Sequence, residues 1–177
     1  MTVSGQASRA RRRSGSGAGG FTLVELLVTL FIAALLLTFG VSSFNGVVLG
    51  ARVSAIANDM IASIQLARSE AIKRNLPITL CRSADGTTCA TSSNWAAGWI
   101  VADGATIVQY HQAVPEGFKV TQSGTAGPLT FQPIGVGATA ATFTVCRASP
   151  VGKQERVVTV SATGVAYVTT TEAGSCP

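Results

Sequence analysis

The order of hydrophobic and polar residues divides the chain into three stretches. Residues 1–20 hold arginines, glycines and serines and few large apolar side chains. Residues 21–49 are almost continuously apolar, and no residue between Leu26 and Phe39 is charged. A membrane-spanning helix needs about 20 apolar residues, so this second stretch is long enough to cross a bilayer. Residues 50–177 mix apolar and polar positions and are expected to form the globular part of the chain.

The segment from Arg52 to Arg74 has the pattern of an amphipathic helix. Its apolar side chains recur every three or four residues, which places them on one helical face. These residues are Val53, Ile56, Met60, Ile64, Ala67 and Ala71. No proline lies between Phe21 and Asn75, so one helix is predicted over both stretches, hydrophobic in its first half and amphipathic in its second. Leu76-Pro77 ends it, because the residue before a proline is pushed out of helical geometry.

Beyond Pro77 the composition changes to threonine, valine, isoleucine, glycine and aromatic residues, which favour strands. Asp103-Gly104 is a strong hairpin signal. The predicted strands are Ile78–Arg82, Trp99–Ala102, Thr106–His111, Phe118–Gln122, Leu129–Gln132, Thr142–Cys146, Arg156–Val160 and Val165–Thr169. Short strands at this spacing are typical of antiparallel sheets. The predicted fold class is therefore α+β, a long N-terminal helix packed on antiparallel β-sheets.

The net charge of +5 is concentrated at the start of the chain. Of the thirteen lysines and arginines, four arginines lie before Ser14, and the remaining nine nearly balance the eight aspartates and glutamates. Basic residues directly before an apolar span favour retention of that end in the cytoplasm. The high charge thus belongs to the first 20 residues and does not predict a nucleic-acid-binding surface on the rest of the chain.

All four cysteines follow the apolar stretch; they are Cys81, Cys89, Cys146 and Cys176. An even number of cysteines beyond a membrane anchor indicates disulfides in an oxidising compartment. Four cysteines permit three pairings. The most local pairing joins Cys81 to Cys89 around a turn at Asp85-Gly86, which leaves Cys146 to pair with Cys176.

Glu25 is the only charged residue in the apolar stretch. A charge at the centre of a membrane helix costs roughly 2.5–3.5 kcal/mol on insertion scales, so such a residue usually has a function and a partner. An ordinary signal peptide does not fit, because its apolar core is only 7–15 residues long and a small-residue cleavage site follows. An uncleaved signal anchor would explain the arginines and the length of the span, but not Glu25 or the Gly20-Phe21 junction.

The hexapeptide at this junction resembles the processing site of type IV prepilins; it reads Gly20-Phe21-Thr22-Leu23-Val24-Glu25. The resemblance implies that a dedicated peptidase cleaves after Gly20, removes residues 1–20 as a leader and methylates the new terminus at Phe21. It also implies that Glu25 guides subunits into a helical filament. The implied partners are the prepilin peptidase/methyltransferase, other minor and major pilins or pseudopilins, and the inner membrane. Residues 21–49 would form the transmembrane and filament-core helix, and residues 50–177 a periplasmic domain.

Further segments resemble the GspH/FimT group, the minor pilins of type IV pili and the minor pseudopilin of type II secretion. They are residues 67–74, 78–81, 95–101, 129–135, 142–146 and 156–164. The resemblance implies a pilin-like fold and a low-abundance subunit that initiates assembly or lies near the filament tip. The four-cysteine domain and the match in the second half favour a pilus subunit, with a secretion pseudopilin as the alternative.

DNA binding is a lower-ranked alternative. Members of this group that bind DNA carry a Gly-Arg-x-Arg element near the C-terminus, and the matching residues 164–167 here are Gly-Val-Ala-Tyr. Affinity for DNA depends on phosphate contacts from lysine and arginine, so the missing arginines disfavour this role. Arg147, Lys153 and Arg156 could form another basic cluster, but a solvated loop is the favoured interpretation.

Catalytic chemistry has little support in the sequence. His111 is the only histidine, and neither a C-x-x-C pair nor a G-x-S-x-G element is present. Asp85 and Asp103 lie at turns, where aspartate is favoured for backbone reasons. Trp95 and Trp99 are expected to be packing residues. The chain is therefore not expected to be an enzyme or to hold a cofactor or metal.

Overall fold

The computed structural model describes residues 20–91, 94–124, 126–135, 138–149, 154–172 and Cys176, without the side chains of residues 38–45. Residues 1–19, which include the four leader arginines, lie outside the described residues, as does Lys153. The chain divides into two compact units, the first ending at Ser43 and the second running from Phe44 to Pro177.

One long helix, α1, runs from Leu23 to Arg74 over 52 residues, which confirms the predicted helix to within two residues at each end. Lys73 and Arg74 occupy its last turn, where positive charge is favoured by the helix dipole. Asn75 takes a left-handed conformation with φ of 53°. This left-handed residue ends the helix two positions before Pro77.

Eight strands follow α1 and form two four-stranded sheets. They are β1 (Ile78–Arg82), β2 (Trp99–Ala102), β3 (Ile107–His111), β4 (Phe118–Gly124), β5 (Leu129–Phe131), β6 (Ala141–Arg147), β7 (Glu155–Val160) and β8 (Ala166–Thr171), with a short 3₁₀ helix at Trp95–Ala97. The first sheet has the order β3-β2-β1-β5 and the second the order β4-β6-β7-β8. All neighbouring strands are antiparallel. The predicted fold class is confirmed, and each predicted strand end lies within two residues of the observed one.

The amphipathic part of α1 provides one wall of the core. All six residues of its predicted apolar stripe are buried, at most 5% exposed. They belong to one hydrophobic cluster with inward-facing residues of both sheets, such as Leu80 and Phe131 of the first sheet and Phe143 and Val158 of the second. The second unit therefore has a continuous core between the helix and the two sheets.

Both tryptophans are packing residues, as predicted. Trp95 contacts Phe143 edge to face, with ring centroids 4.8 Å apart. Trp99 is 1% exposed, and its indole N–H donates a 2.9 Å hydrogen bond to the hydroxyl of Ser63 on α1. This buried bond fixes the position of α1 against strand β2.

The β2–β3 hairpin is attached to the end of α1 by charged side chains. The carboxylate of Asp103 accepts a 2.9 Å bond from the backbone N–H of Thr106, which lowers the pKa of Asp103. Arg74 donates to Asp103 over 3.2 Å and also to Glu70, and its guanidinium lowers the pKa of Glu70. Because both pKa values are lowered, these contacts stabilise the fold at neutral pH and weaken as acid protonates the carboxylates.

A test of the helix–sheet contact is Ser63→Ala. This change leaves the buried indole N–H of Trp99 without its acceptor, which costs about 1–3 kcal/mol of unfolding free energy. Urea unfolding of purified residues 44–177 measures the loss. Ser69→Ala is the matched control, since its hydroxyl bonds only to the carbonyl of Leu66 on the exposed face of the same helix. Equal midpoints for the two variants would contradict the assigned role of the Ser63–Trp99 bond.

Candidate functional site

The Gly20-Phe21 junction lies in non-helical chain directly before α1. Both residues are exposed, and the side chain of Phe21 is 77% exposed. A Cβ added at Gly20 would meet no atom within 4 Å. In the described part of the chain, this peptide bond therefore joins two exposed residues, with open space around Gly20.

Thr22 caps the start of α1. Its hydroxyl oxygen accepts a 3.2 Å hydrogen bond from the backbone N–H of Glu25, and its carbonyl accepts a 3.1 Å bond from Leu26. The Thr-x-x-Glu spacing is that of a capping box, which satisfies N–H groups that a helix start leaves without partners. The sequence analysis did not single out Thr22, although this spacing could have indicated it.

Glu25 lies in the first turn of α1, where the positive end of the helix dipole favours a carboxylate. Its side chain is exposed. Among the described residues, none forms a hydrogen bond or an ion pair with that carboxylate. A partner for Glu25 therefore has to come from outside the described part of this chain.

The first part of α1 is apolar around its whole circumference. Every side chain from Phe21 to Leu37 is exposed, and the large apolar side chains between Leu23 and Leu37 are 47% to 76% exposed. An amphipathic surface helix would keep a polar face, whereas a helix that is hydrophobic all round requires apolar surroundings on every side. This segment therefore fits a bilayer or a bundle of similar helices.

Within the described residues, the part of α1 from Gly46 to Arg74 is the one segment long and apolar enough to cross a membrane. The described apolar start of the same helix, Leu23–Leu37, is shorter. The apolar face of Gly46–Arg74 is already covered by the globular core. It also carries charges at Arg52, Asp59 and Arg68. Its apolar side chains serve packing, whereas the large apolar side chains of Leu23–Leu37 remain 47% to 76% exposed.

Two disulfides hold the globular part. Cys81 is bonded to Cys89, eight residues away, and Cys146 to Cys176, thirty residues away, with Cα–Cα distances of 5.5 Å in both. The described cysteines include no free thiol. Such pairs require an oxidising compartment.

Asp85 organises the loop that the Cys81–Cys89 bond closes. Its carboxylate accepts hydrogen bonds from the backbone N–H groups of Thr87 and Thr88, both 2.9 Å, and from the hydroxyl of Ser83. The two backbone bonds are the main cause that lowers the pKa of Asp85 far below its ordinary value. The carboxylate is fully used by the turn, as expected for an aspartate that serves the backbone.

His111 is engaged in packing and polar contacts on the first sheet. Its ring stacks on Trp99 with centroids 3.8 Å apart, and its Nε2 lies 3.2 Å from a carboxylate oxygen of Asp59 on α1. In the described part of the chain, no group of three histidine, cysteine, aspartate or glutamate side chains could hold a metal ion. The histidine joins strand β3 to the helix.

The β7–β8 hairpin carries apolar and aromatic residues at the positions of the Gly-Arg-x-Arg element. Val165 in the turn and Tyr167 in β8 are 48% and 52% exposed, where DNA-binding members of the resembled group carry arginines. Arg156 donates from Nη1 to the carbonyl of Glu155 over 3.0 Å. Lys153 of the predicted three-residue cluster lies outside the described residues.

Two family models match the chain. One, described as "Type II transport protein GspH", matches residues 57–164, and the other, described as "Prokaryotic N-terminal methylation motif", matches residues 16–41. No curated protein matches the chain. The two models together cover the Gly20-Phe21 junction, the apolar start of α1 and most of the globular part.

Three solved structures resemble the fold. The type IV minor pilin FimU of Pseudomonas aeruginosa matches in one crystal form with a TM-score of 0.53 and 22% identity, over 66% of this chain and 87% of FimU. A second crystal form of FimU gives a TM-score of 0.49, 20% identity and coverage of 66% and 91%. The minor pseudopilin EpsH from the type 2 secretion system of Vibrio cholerae gives 0.48, 14% identity and coverage of 67% and 96%. At 22% identity the first match shows a shared fold.

A test of the helix start is Thr22→Val, which removes the hydroxyl that accepts from Glu25. Loss of an N-cap costs about 1 kcal/mol, so amide exchange at Glu25 is expected to quicken roughly fivefold in detergent micelles. Thr29→Val is the matched control, because the Thr29 hydroxyl only donates to the carbonyl of Leu26 inside the helix. Unchanged exchange at Glu25 would show that Thr22 is not the cap.

Proposed function

The chain belongs to the family described as type II transport protein GspH, which comprises minor pilins and pseudopilins, and we propose that it is a minor pilin of a type IV pilus. The observation that carries the proposal is the exposed Gly20-Phe21 junction directly before the first part of α1. In that part, Leu23–Leu37, the large apolar side chains are exposed and Glu25 is the one charged residue. The family consists of structural subunits, and the proposed mechanism is assembly rather than catalysis.

The first step is processing at Gly20. A prepilin peptidase cleaves the Gly20-Phe21 bond, and the same enzyme methylates the amine of Phe21. The match of the N-terminal methylation motif over residues 16–41 supports this step. So does the geometry, because an exposed, non-helical peptide without a side chain at Gly20 can enter a catalytic site.

The second step is insertion into the inner membrane. The apolar segment crosses the bilayer, with the leader arginines on the cytoplasmic side, as the positive-inside tendency favours. The globular part then lies in the periplasm. The two disulfides support this placement, since the periplasm is oxidising.

The third step is assembly through the apolar helices of neighbouring subunits. Side-by-side packing removes the exposed apolar side chains from lipid and water and buries Glu25 in a region of low dielectric. There the carboxylate pairs with the positive amine of Phe21, on its own or a neighbouring chain. An ion pair in such surroundings is far stronger than in water, and an unpaired buried charge is heavily penalised. Glu25 therefore selects the axial position at which subunits join.

A pseudopilin of a type II secretion system is the second candidate. The description of the matching family, a type II transport protein, favours it. The four-cysteine globular part and the sequence resemblance to the GspH/FimT group in the second half favour the pilus. DNA binding ranks below both, because the exposed positions at the β7–β8 hairpin hold Val165 and Tyr167 in place of basic residues.

A test of the assembly step is Glu25→Ala in the full-length chain. Membrane insertion is expected to remain complete, because the change makes the segment more apolar. Incorporation into sheared filaments is expected to fall at least tenfold, since the loss of one paired buried charge costs several kcal/mol. Immunoblots of membrane and filament fractions measure both. Glu116→Ala, an exposed glutamate of the globular part, is the matched control. Equal incorporation of the two variants would refute the role of Glu25.

The two candidate functions differ in what a deletion of this chain changes. For a minor pilin, the number of surface pili is expected to fall while secretion of folded exoproteins stays at the wild-type level. Electron microscopy of pili and protein content of the culture medium measure the two effects. Lost secretion with normal piliation would instead identify the chain as a pseudopilin.

A further inference from the structure

An open groove of about 310 Å³ lies on the second unit, between α1 and the turn that joins β7 to β8. Helix residues such as Arg68, Ser69 and Ile72 form one side, and Val165 and Ala166 form the other. The proposed steps of processing, membrane insertion and helix packing do not involve this groove. It also lies far along the chain from the Gly20-Phe21 junction.

Two glycines with positive φ bring the surrounding turns close to the helix. Gly164, with φ of 73°, places the β7–β8 turn so near that a Cβ there would meet the Arg68 side chain at 3.4 Å. Gly135, also with φ of 73°, lies so near that a Cβ would meet the Ile72 side chain at 3.1 Å. A left-handed conformation of this kind is easy only for glycine. The two turns beside the groove can thus approach α1 this closely because glycine occupies both positions.

Exposed apolar side chains line the groove beside the polar side chains of Gln65, Arg68 and Ser69. Ile72 is 52% exposed and Val165 48% exposed, and neither belongs to the buried core. Ile134, beside Gly135, is 77% exposed. Apolar side chains grouped around a concave surface are typical of protein interaction sites.

Arg68 places one positive charge in this apolar setting. Its Nε donates a 3.1 Å hydrogen bond to the carbonyl of Gly135, which fixes the guanidinium at the edge of the groove. Within the described ranges, no carboxylate forms an ion pair with Arg68. A guanidinium that is fixed in place through Nε can bind a carboxylate with two N–H groups at once.

We propose that this groove binds an aspartate or glutamate with apolar neighbours on another pilin-like subunit. The inference rests on the proposed function, since it names the chemistry of one partner in the filament. The apolar walls take the flanking side chains, and Arg68 takes the carboxylate. A nucleic-acid backbone fits poorly, because one arginine between apolar walls offers a single phosphate contact.

The experiment places the photo-crosslinking residue p-benzoylphenylalanine at position 165 of the full-length chain, in cells that assemble the filament. Irradiation is expected to join the groove to another pilin-like chain, at a peptide that mass spectrometry shows to hold an aspartate or glutamate. Arg68→Glu is expected to lower the yield of that product about tenfold, the effect of losing one charge-assisted contact. Lys119→Glu, the same charge change on strand β4, is the matched control and is expected to leave the yield unchanged.

Arg68→Lys distinguishes the effect of the positive charge from that of the hydrogen bond to Gly135, because lysine keeps the charge and lacks the Nε–H donor. It is expected to retain more of the product than Arg68→Glu. Equal losses in the two variants would overturn the role of the charge.

A crosslinked peptide without an acidic residue, or a yield that Arg68→Glu does not change, would overturn the proposal as well. If the chain enters filaments but forms no product at position 165, this inference alone fails; if it never enters filaments, the proposed function fails with it.

Discussion

The structure depends on the cost of leaving an apolar helix in water. Full burial of one leucine, valine, isoleucine or phenylalanine side chain is worth about 1.5–3 kcal/mol, and the segment Leu23–Leu37 exposes such side chains on all sides. No folding of the described chain covers them. In the proposed function the segment lies first in lipid and then against other helices, and this transfer is the physical basis of assembly. Glu25 is the one charged residue in this segment, and in the proposed assembly its desolvation makes the transfer selective.

One continuous helix thus serves two purposes because its apolar residues are distributed differently along it. In the first part they surround the axis, whereas in the second they are confined to a stripe that the two sheets cover. Polar bonds then fix the second part on the sheets, through Ser63 and Trp99 in the core and through Arg74 and Asp103 at the end of the helix. The globular unit buries its own apolar core, and the proposed assembly uses only the first part of the helix.

Local patterns in the sequence predicted much of this fold. Helical spacing identified the buried stripe, Leu76-Pro77 marked the end of α1, and turn residues such as Asp103-Gly104 delimited the strands. The division of the strands into two sheets was not predicted, because pairing partners such as β1 and β5 are distant in sequence. The same reason applies to the contacts of His111 with Trp99 and Asp59, and to the groove at Arg68, whose walls come together only in the folded chain. At the candidate site, Gly20, Phe21 and Glu25 could be identified because they lie within six residues of one another.

Mass spectrometry of the wild-type chain in purified filaments tests the central claim most directly. We expect filament fractions to contain this chain with N-methylphenylalanine, from Phe21, as its first residue. Absence of the chain from every filament fraction, together with a membrane-bound form that still carries residues 1–20, would contradict the account.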